Sequence, residues 1–307
     1  MSRQERAFTK LDDLESRSRV RGPLTVAIAY PCSDEAFAAA LSAQEAGLIE
    51  PIFVGPRARM ALCAEAASRD LTDLRVVETE DDAHAASKMA CSLAASGDVD
   101  ALMKGSQHTH DLLSAVLSPE FNLRTSRRMS HVFWFDLPQY PKPLMLTDAV
   151  INVTPGLPEK IDILHNVIKF AVSLGVGEPK IALLSAVETV SPALQSSLDA
   201  ALLCKMAERG QIKGAIIDGP LAFDNAISRH AAAVKGIVSP VAGDPDILMA
   251  PTLDAANILY KSLVYMGGGE CAGIVLGARV PIIVTSRADS ARARSASCAL
   301  ARLSCAT

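Results

Sequence analysis

The 307-residue chain has few aromatic residues and no surplus of basic ones. Aromatic residues make up 4% of the sequence, with a single tryptophan, and 30 basic residues against 34 acidic ones give a formal net charge of −4. Binding to nucleic acid needs a surplus of cations to replace the counterions on phosphate, or aromatic rings on which bases can stack. The composition therefore argues against a nucleic-acid partner.

Long apolar runs and cysteine motifs are also missing. No stretch approaches the roughly 20 apolar residues that a membrane-spanning helix needs, and the segment up to Arg21 is rich in charges and lacks the apolar core of a signal peptide. The seven cysteines are an odd number and show no CxxC spacing, so neither a disulfide framework nor a zinc site is predicted. We expect a cytoplasmic protein with no membrane association and no metal.

The residues that are present favour an α/β fold. Half of the chain is apolar, and short apolar runs alternate with segments of helical period, as in residues 24–30 followed by 34–47 and residues 180–185 followed by 195–209. This alternation predicts β-α-β units and a mainly parallel sheet flanked by helices. Residues 124–140 show a less regular pattern. The proline-rich segment 138–143 is the predicted crossing between two domains.

Polar residues follow several of the predicted strands. In α/β folds, ligands collect beyond the carboxyl ends of the strands, where loops enter helices. The groups are Lys104-Gly105-Ser106, Thr147-Asp148, Asp218-Gly219-Pro220 and Thr285-Ser286-Arg287. The last group also precedes the predicted final helix, whose free backbone N–H groups and dipole favour anions.

Three further motifs leave alternatives open. The segment 267–272 fits a loose dinucleotide pattern, but it follows a predicted helix and precedes a strand, the reverse of the order that a pyrophosphate site needs. The segment 108–111 suggests a metal site, yet histidines at i and i+2 do not converge well on one ion, and a polar helix start is favoured. The segment 127–131 is either a solvated turn or an anion site, because arginine can hold phosphate through two hydrogen bonds.

Taken in order along the chain, several segments resemble the phosphate acetyltransferase/phosphate butyryltransferase family. The similarity extends from about Leu24 to the C-terminus. The segments that carry it are residues 104–105 with Thr109, residues 128–131, TDAVIN at 147–152, DGPLAFDNAIS at 218–228, KGIVSPVAGDPDIL at 235–248, residues 257–262 and TSRADS at 285–290.

The resemblance implies a fold, an assembly and a reaction. It implies two α/β domains with mainly parallel sheets flanked by helices and an active-site cleft between them, as in isocitrate/isopropylmalate dehydrogenase-like proteins. Domain I is expected to span residues 1–137 plus 278–307 and domain II residues 138–277. The implied reaction is reversible transfer of a short acyl group, acetyl or butyryl, in which acyl-CoA and phosphate give acyl phosphate and CoA. The family is typically dimeric and uses no metal or redox cofactor, so a homodimer is expected.

The resemblance also assigns roles to residues. A Ser-Arg pair of the family's acetyltransferases matches Ser286 and Arg287, which implies that Ser286 donates to the oxyanion and Arg287 binds phosphate. Arg128 is expected to add a second contact to an anion. Asp289 is the nearest carboxylate and is either the catalytic base or a cap of the final helix. The other substrate-binding candidates are Lys104, Thr109, Ser130, His131 and Thr147.

Two departures from the acetyltransferase pattern leave the general base open. Those enzymes place an aspartate seven residues after the serine, where this chain has Ala293, and an arginine near the position of Ala115. The SRADS sequence favours the butyryltransferase branch. Two other hypotheses remain: an NAD(P)-dependent dehydrogenase of the related two-domain fold, which would need a cluster of metal-binding carboxylates not found here, and a non-catalytic acyl-CoA-binding homologue, supported only by the two departures.

Overall fold

The structure is a computed structural model that describes residues 11–285 and 289–305. Its strands are β1 (Leu24–Ala29), β2 (Ile49–Gly55), β3 (Val76–Glu78), β4 (Ala101–Lys104), β5 (Ser130–Asp136), β6 (Leu144–Thr147), β7 (Lys180–Leu184), β8 (Ile216–Leu221), β9 (Ile247–Met249), β10 (Glu270–Leu276) and β11 (Ile282–Ile283). Its α-helices are α1 (Leu11–Val20), α2 (Asp34–Glu45), α3 (Arg57–Ala66), α4 (Ala83–Ser96), α5 (Thr109–Leu117), α6 (Leu157–Ser173), α7 (Gln195–Glu208), α8 (Phe223–Ile227), α9 (Arg229–Val234), α10 (Leu253–Tyr265) and α11 (Ala291–Ser304).

The chain divides into two compact units. The N-terminal unit contains Asp12–Arg127 and Ala272–Thr307, and the central unit contains Arg128–Cys271. The sequence predicts the crossings between the two domains after residues 137 and 277. In the structure β5 pairs antiparallel with β6, with Val132 opposite Thr147, and this pairing accounts for the place of β5 in the central unit.

The sheet of the N-terminal unit is doubly wound. Its strand order is β3-β2-β1-β4-β11-β10, and all neighbouring strands are parallel except β10 and β11. The chain runs outward from β1 through β2 to β3 and then returns to place β4 on the other side of β1. Ligands bind where the strand order reverses in this way, beyond the carboxyl ends of the strands. The topology therefore directs attention to the loops that follow β1 and β4.

The central unit contributes five strands and has its own core. The strand order is β5-β6-β9-β7-β8, with β5 antiparallel to β6 and the other neighbours parallel. Its core combines strand residues such as Phe135 and Leu248 with Tyr260 of α10. The Tyr260 ring stacks on the ring of Phe133 with their centroids 4.0 Å apart, so α10 is held against the sheet by a large aromatic contact.

The predicted fold class is confirmed, since both units are helix-flanked, mainly parallel sheets. The strands were predictable because buried parallel strands are nearly continuous apolar runs, as in LTVAIA of β1. Within the described ranges, no helix combines the length and the apolar character needed to cross a membrane. All seven cysteines are free thiols, and five of them are buried.

Three segments show more structure, or different structure, than the sequence pattern indicates. The less regular stretch 124–140 contains β5, in which every residue but the last is buried. The charged segment near the N-terminus, for which no element is predicted, forms α1, which buries Leu14 on one face. The sequence predicts one helix over residues 224–234, but the structure has two helices there, α8 and α9, divided at Ser228, whose hydroxyl caps α9 by accepting a hydrogen bond from the backbone N–H of Ala231.

The sequence predicts that the Asp218-Gly219-Pro220 motif follows a strand. This prediction is wrong, because the motif lies inside β8. Strand β8 is at the edge of its sheet, where a proline costs no ladder hydrogen bond on the open side. A side chain at Gly219 would place its Cβ 2.7 Å from the Leu183 carbonyl oxygen. Gly219 therefore lets β8 approach β7 closely, and Pro220 does not end the strand.

Candidate active site

A pocket of about 400 Å³ opens in the N-terminal unit at the carboxyl ends of β1, β4 and β11. It lies at the point where the strand order reverses, as expected for a doubly wound sheet. Two of the four predicted strand-end groups meet here, because Lys104-Gly105-Ser106 and Thr285 both line the pocket. The residues that carry its chemistry are Tyr30, Cys32, Arg59, Lys104, Thr285 and Arg294.

The wall between β1 and β4 depends on a close approach of two loops. The carbonyl oxygen of Tyr30 accepts hydrogen bonds from both the backbone N–H and the hydroxyl of Ser106, each 2.9 Å long. Tyr30 reaches this position with φ at +52°, in the left-handed region that a bulky residue rarely adopts. A Cβ at Gly105 would lie only 2.3 Å from the Ala29 carbonyl oxygen. Only glycine therefore allows the two loops to meet.

Two buried cations line the pocket. Lys104 is 6% exposed, and its Nζ donates to the carbonyl oxygens of Gly105 and Gln107, both at 3.2 Å. Arg294, from α11, is 9% exposed, and its Nη1 donates to the Glu35 carbonyl oxygen at 2.8 Å. Glu35 is the one acidic residue among the described side chains that line the pocket, against three basic ones. The pocket therefore suits an anion.

The third cation, Arg59, is held by a tyrosine and a carboxylate. Its Nη1 donates to the Tyr30 hydroxyl at 2.5 Å, and that hydroxyl donates to Asp81 Oδ1 at 2.7 Å. Burial and the bond to Asp81 raise the pKa of Tyr30 to about 12, and the same bond and the Arg59 charge lower the pKa of Asp81. The guanidinium carbon lies 5.3 Å from the Tyr30 ring centroid, so Arg59 is fixed in orientation despite its exposure.

The one thiol in the pocket is not an activated nucleophile. Burial raises the pKa of Cys32 to about 12, so its sulfur stays protonated near neutral pH. Catalytic cysteines have lowered pKa values instead. Among the described residues, the pocket lining therefore offers cationic binding groups and no activated cysteine for covalent catalysis.

The predicted catalytic segment borders this pocket in sequence. Thr285 lines the pocket, and the next two residues, Ser286 and Arg287, lie outside the described residues. Asp289 is half-buried. The sequence allows Asp289 as the cap of the last helix, but Ser290 takes that role by accepting a hydrogen bond from the Ala293 backbone N–H at 3.1 Å. Thr109 begins α5 and does not line the pocket.

The other predicted residues belong to the central unit. The Arg128 guanidinium is about half exposed and forms an ion pair with Glu159 at 3.3 Å. The Ser130 hydroxyl is buried and accepts a hydrogen bond from the Asn166 side chain, and the buried Thr147 hydroxyl donates to the His131 carbonyl oxygen. Of this group, only Arg128 exposes a polar side-chain group within its unit.

The TDAVIN segment is organised around the buried carboxylate of Asp148. This carboxylate accepts hydrogen bonds from the backbone N–H groups of Val150, Ile151 and Asn152 and from the Asn152 side chain. Burial raises the pKa of Asp148, and these hydrogen bonds oppose that rise. Asp148 therefore shapes the loop between β6 and α6.

Comparisons with known proteins identify the family. Residues 82–301 match the phosphate acetyl/butaryl transferase family. The phosphate acetyltransferase of Rhizobium meliloti is 48% identical over 295 residues, which cover 96% of this chain and 93% of that protein. The phosphate butyryltransferase of Clostridium beijerinckii is 40% identical over 292 residues, which cover 95% and 96% of the two chains. The chain belongs to this family.

A solved structure agrees with the sequence matches. The branched-chain phosphotransacylase from Enterococcus faecalis V583 superposes with a TM-score of 0.79 at 33% identity, covering 92% of this chain and 99% of that one. The family, the acyltransferase class and the general function of a phosphate acyltransferase, all predicted from the sequence, are thereby confirmed. Membership of the family favours this function over the dehydrogenase alternative.

Three residues that line the pocket of this phosphate acyltransferase were not predicted from the sequence. Tyr30 immediately follows β1 and could have been found, since β1 is the first strand of a β-α-β unit and its carboxyl end is a predicted ligand position. Arg59 and Arg294 carried no such signal. They lie within helices α3 and α11, where an arginine ordinarily indicates a solvated face.

His131, predicted to bind substrate, is fully buried in β5. Neither ring nitrogen has a hydrogen-bond partner in the part of the chain that the structure describes. The ring packs edge-on against Phe133 with centroids 4.4 Å apart. Burial lowers the pKa of His131 to about 3, so the imidazole is neutral in the folded protein.

The neutral His131 makes the fold sensitive to acid. An unfolded histidine takes up a proton near pH 6.5, whereas the folded one does so only near pH 3. Between these two pH values the unfolded state binds more protons than the folded state, so the free energy of unfolding decreases as the pH falls from about 6.5 to about 3. We expect His131→Leu to lose less stability than the wild type between pH 7 and pH 5, measured by urea denaturation. His110→Leu, at an exposed histidine, should match the wild type; an equal slope in His131→Leu would contradict the prediction.

Proposed function

We propose that this family member transfers a short acyl group reversibly between CoA and inorganic phosphate. The observation that carries the proposal is the cationic pocket of the N-terminal unit, which is lined by Thr285, the residue directly before Ser286 and Arg287. Phosphate and acyl phosphate are anions, and CoA carries phosphate groups of its own. A pocket with three basic side chains and one acidic one is suited to such substrates.

The proposed chemistry is a direct exchange at the acyl carbon. A phosphate oxygen attacks the thioester carbonyl, the C–S bond breaks, the C–O bond of a mixed acyl–phosphate anhydride forms, and CoA leaves as a thiolate that takes up the proton lost by the phosphate. Charge builds on the carbonyl oxygen during the attack, and Ser286 donates a hydrogen bond to it while Arg287 holds the phosphate. In the reverse direction the CoA thiol must lose its proton. Asp289 is the proposed acceptor, since Ser290 rather than Asp289 caps α11.

The remaining predicted binding residues divide into two groups. Lys104 is assigned to the substrate because it lines the pocket, and Arg128 because it carries an exposed guanidinium. Ser130, His131 and Thr147 are buried, and we assign them to the support of β5 and β6 rather than to direct contact with substrate. Thr109 remains a candidate from the family pattern alone.

The proposal includes a cytoplasmic homodimer that needs no metal or redox cofactor. Ile258 and Tyr265 are seven residues apart on α10, and therefore on one face of the helix. They are 67% and 69% exposed, and Met266 beside them is 88% exposed. These exposed apolar side chains support the proposed dimer, because a second copy of the chain would remove them from water.

Thiol release from acetyl-, propionyl- and butyryl-CoA, measured with and without phosphate, tests this function. We expect release only when phosphate is present, because phosphate is the acyl acceptor. The chain length that gives the highest kcat/KM then identifies the acetyl or the butyryl branch. Release without phosphate, or no release from any of the three thioesters, would refute the proposal.

A further inference from the structure

Arg294 is a buried arginine that lines the same pocket as Lys104 and Thr285. It is 9% exposed and lies in the first turns of α11, eight residues after Ser286 in the sequence. The Ser290 hydroxyl already caps the N-terminus of α11. Capping of this helix therefore does not require an arginine at position 294. The location of the guanidinium in the pocket is what calls for an explanation.

The charges of the pocket indicate what the guanidinium meets. Arg294 and Lys104 are both nine-tenths buried or more, and α11 has no acidic residue in its first turn. Together with Arg59 they give the described lining of the pocket three basic side chains, against one acidic side chain, Glu35. This excess of positive charge favours an anion, and a doubly charged phosphate most strongly.

The hydrogen bonding of Arg294 fits a binding role. Its Nη1 donates to the Glu35 carbonyl oxygen at 2.8 Å, which links α11 to the first turn of α2 and restrains the guanidinium. A guanidinium has five N–H donors in a rigid fork, a geometry that matches the oxygens of phosphate. An arginine restrained in this way loses less side-chain entropy when it binds phosphate.

We propose that Arg294, together with Lys104, binds the phosphate that accepts the acyl group, both as inorganic phosphate and as the phosphate end of acyl phosphate. This assignment rests on the proposed function and adds a residue to it. The phosphates of CoA offer similar chemistry, so the kinetic constants for phosphate and for CoA have to be separated. Arg294 contacts the small anion, and CoA binding does not depend on it.

The test compares three variants in both directions of the reaction. In Arg294→Gln the KM for phosphate and for acyl phosphate should rise about 10- to 100-fold, the loss expected for a charged hydrogen bond, while the KM for CoA and acyl-CoA stays within about twofold of the wild type. Arg294→Lys keeps the charge without the fork and should give an intermediate KM for phosphate. Arg292→Gln is the matched control, because Arg292 lies on the same helix, is exposed and pairs with Asp12.

The outcomes separate the possible roles of Arg294. An unchanged KM for phosphate in folded Arg294→Gln, or an equal rise in the KM for CoA, would overturn the assignment. A purely structural role would lower thermal stability in both Arg294 variants and leave the ratio of the two KM values unchanged, which also overturns it. If Arg294→Gln does not fold, a wild-type KM for phosphate in Arg294→Lys overturns it. A wild type that releases no thiol with phosphate refutes the proposed function itself.

Discussion

Replacing Arg287 by alanine should lower the rate of phosphate-dependent thiol release about 100- to 1,000-fold, the loss typical of removing a group that stabilises transition-state charge. The reason is the charge that moves in the reaction: phosphate attacks the thioester, and negative charge shifts onto the carbonyl oxygen and the departing sulfur. Arg287 follows Thr285 of the cationic pocket by two residues. The loss should appear in kcat/KM, measured with saturating and with limiting phosphate.

A control shows whether the loss belongs to the reaction. Arg279 is an exposed arginine of the same C-terminal segment, and its backbone N–H donates to the Leu123 carbonyl oxygen, a contact that survives substitution by alanine. Arg279→Ala should therefore keep the wild-type rate. Circular dichroism and thermal unfolding of Arg287→Ala should match the wild type as well. Wild-type rates in folded Arg287→Ala would show that the catalytic segment has been misplaced.

Replacing Lys160 by methionine should destabilise the protein by about 3–5 kcal/mol, the cost of leaving a buried charge without its partner. Lys160 on α6 and Asp199 on α7 form an ion pair of 2.5 Å, with side chains only 7% and 6% exposed. Gln195 also donates to the other carboxylate oxygen of Asp199, at 2.8 Å. Without Lys160, the Asp199 carboxylate stays buried with one amide donor. Urea denaturation followed by circular dichroism measures the loss.

The double variant Lys160→Met/Asp199→Leu separates the pair from its packing. Removing both charges removes the cost of desolvating them, so the double variant should recover most of the lost stability. Lys205→Met breaks an exposed pair with Glu208 on the same helix α7 and should leave the midpoint of unfolding unchanged. A double variant as unstable as Lys160→Met would mean that the cost arises from packing rather than from charge.

The parts of the site that came from strand ends were predictable from the sequence. Lys104-Gly105-Ser106 and Thr285 lie far apart in the chain, yet both line the pocket. Their meeting follows from the fold class, because parallel strands end at one edge of a sheet and β4 pairs with both β1 and β11. The apolar runs that marked these strands also located their carboxyl ends.

The parts that came from helix packing were not predictable. Arg294 and Arg59 reach the pocket from α11 and α3, and their burial or orientation depends on contacts with Glu35 and Tyr30, remote in sequence. An arginine within a helix ordinarily indicates a solvated face. Strand β5 was not predicted for the same reason, since its buried residues lie between two segments that show no clear helical or strand period. Its antiparallel partner β6 is a tertiary fact that local pattern does not supply.

Phosphorus NMR of the reaction mixture tests the central claim most directly, because it observes the product that distinguishes acyl transfer to phosphate from simple thioester hydrolysis. The protein is incubated with inorganic phosphate and the acyl-CoA that it prefers, and CoA is added in excess once the signal is steady. The account predicts that an acyl phosphate resonance grows at the expense of inorganic phosphate and declines again when CoA is added. Thiol release with no acyl phosphate resonance would contradict it.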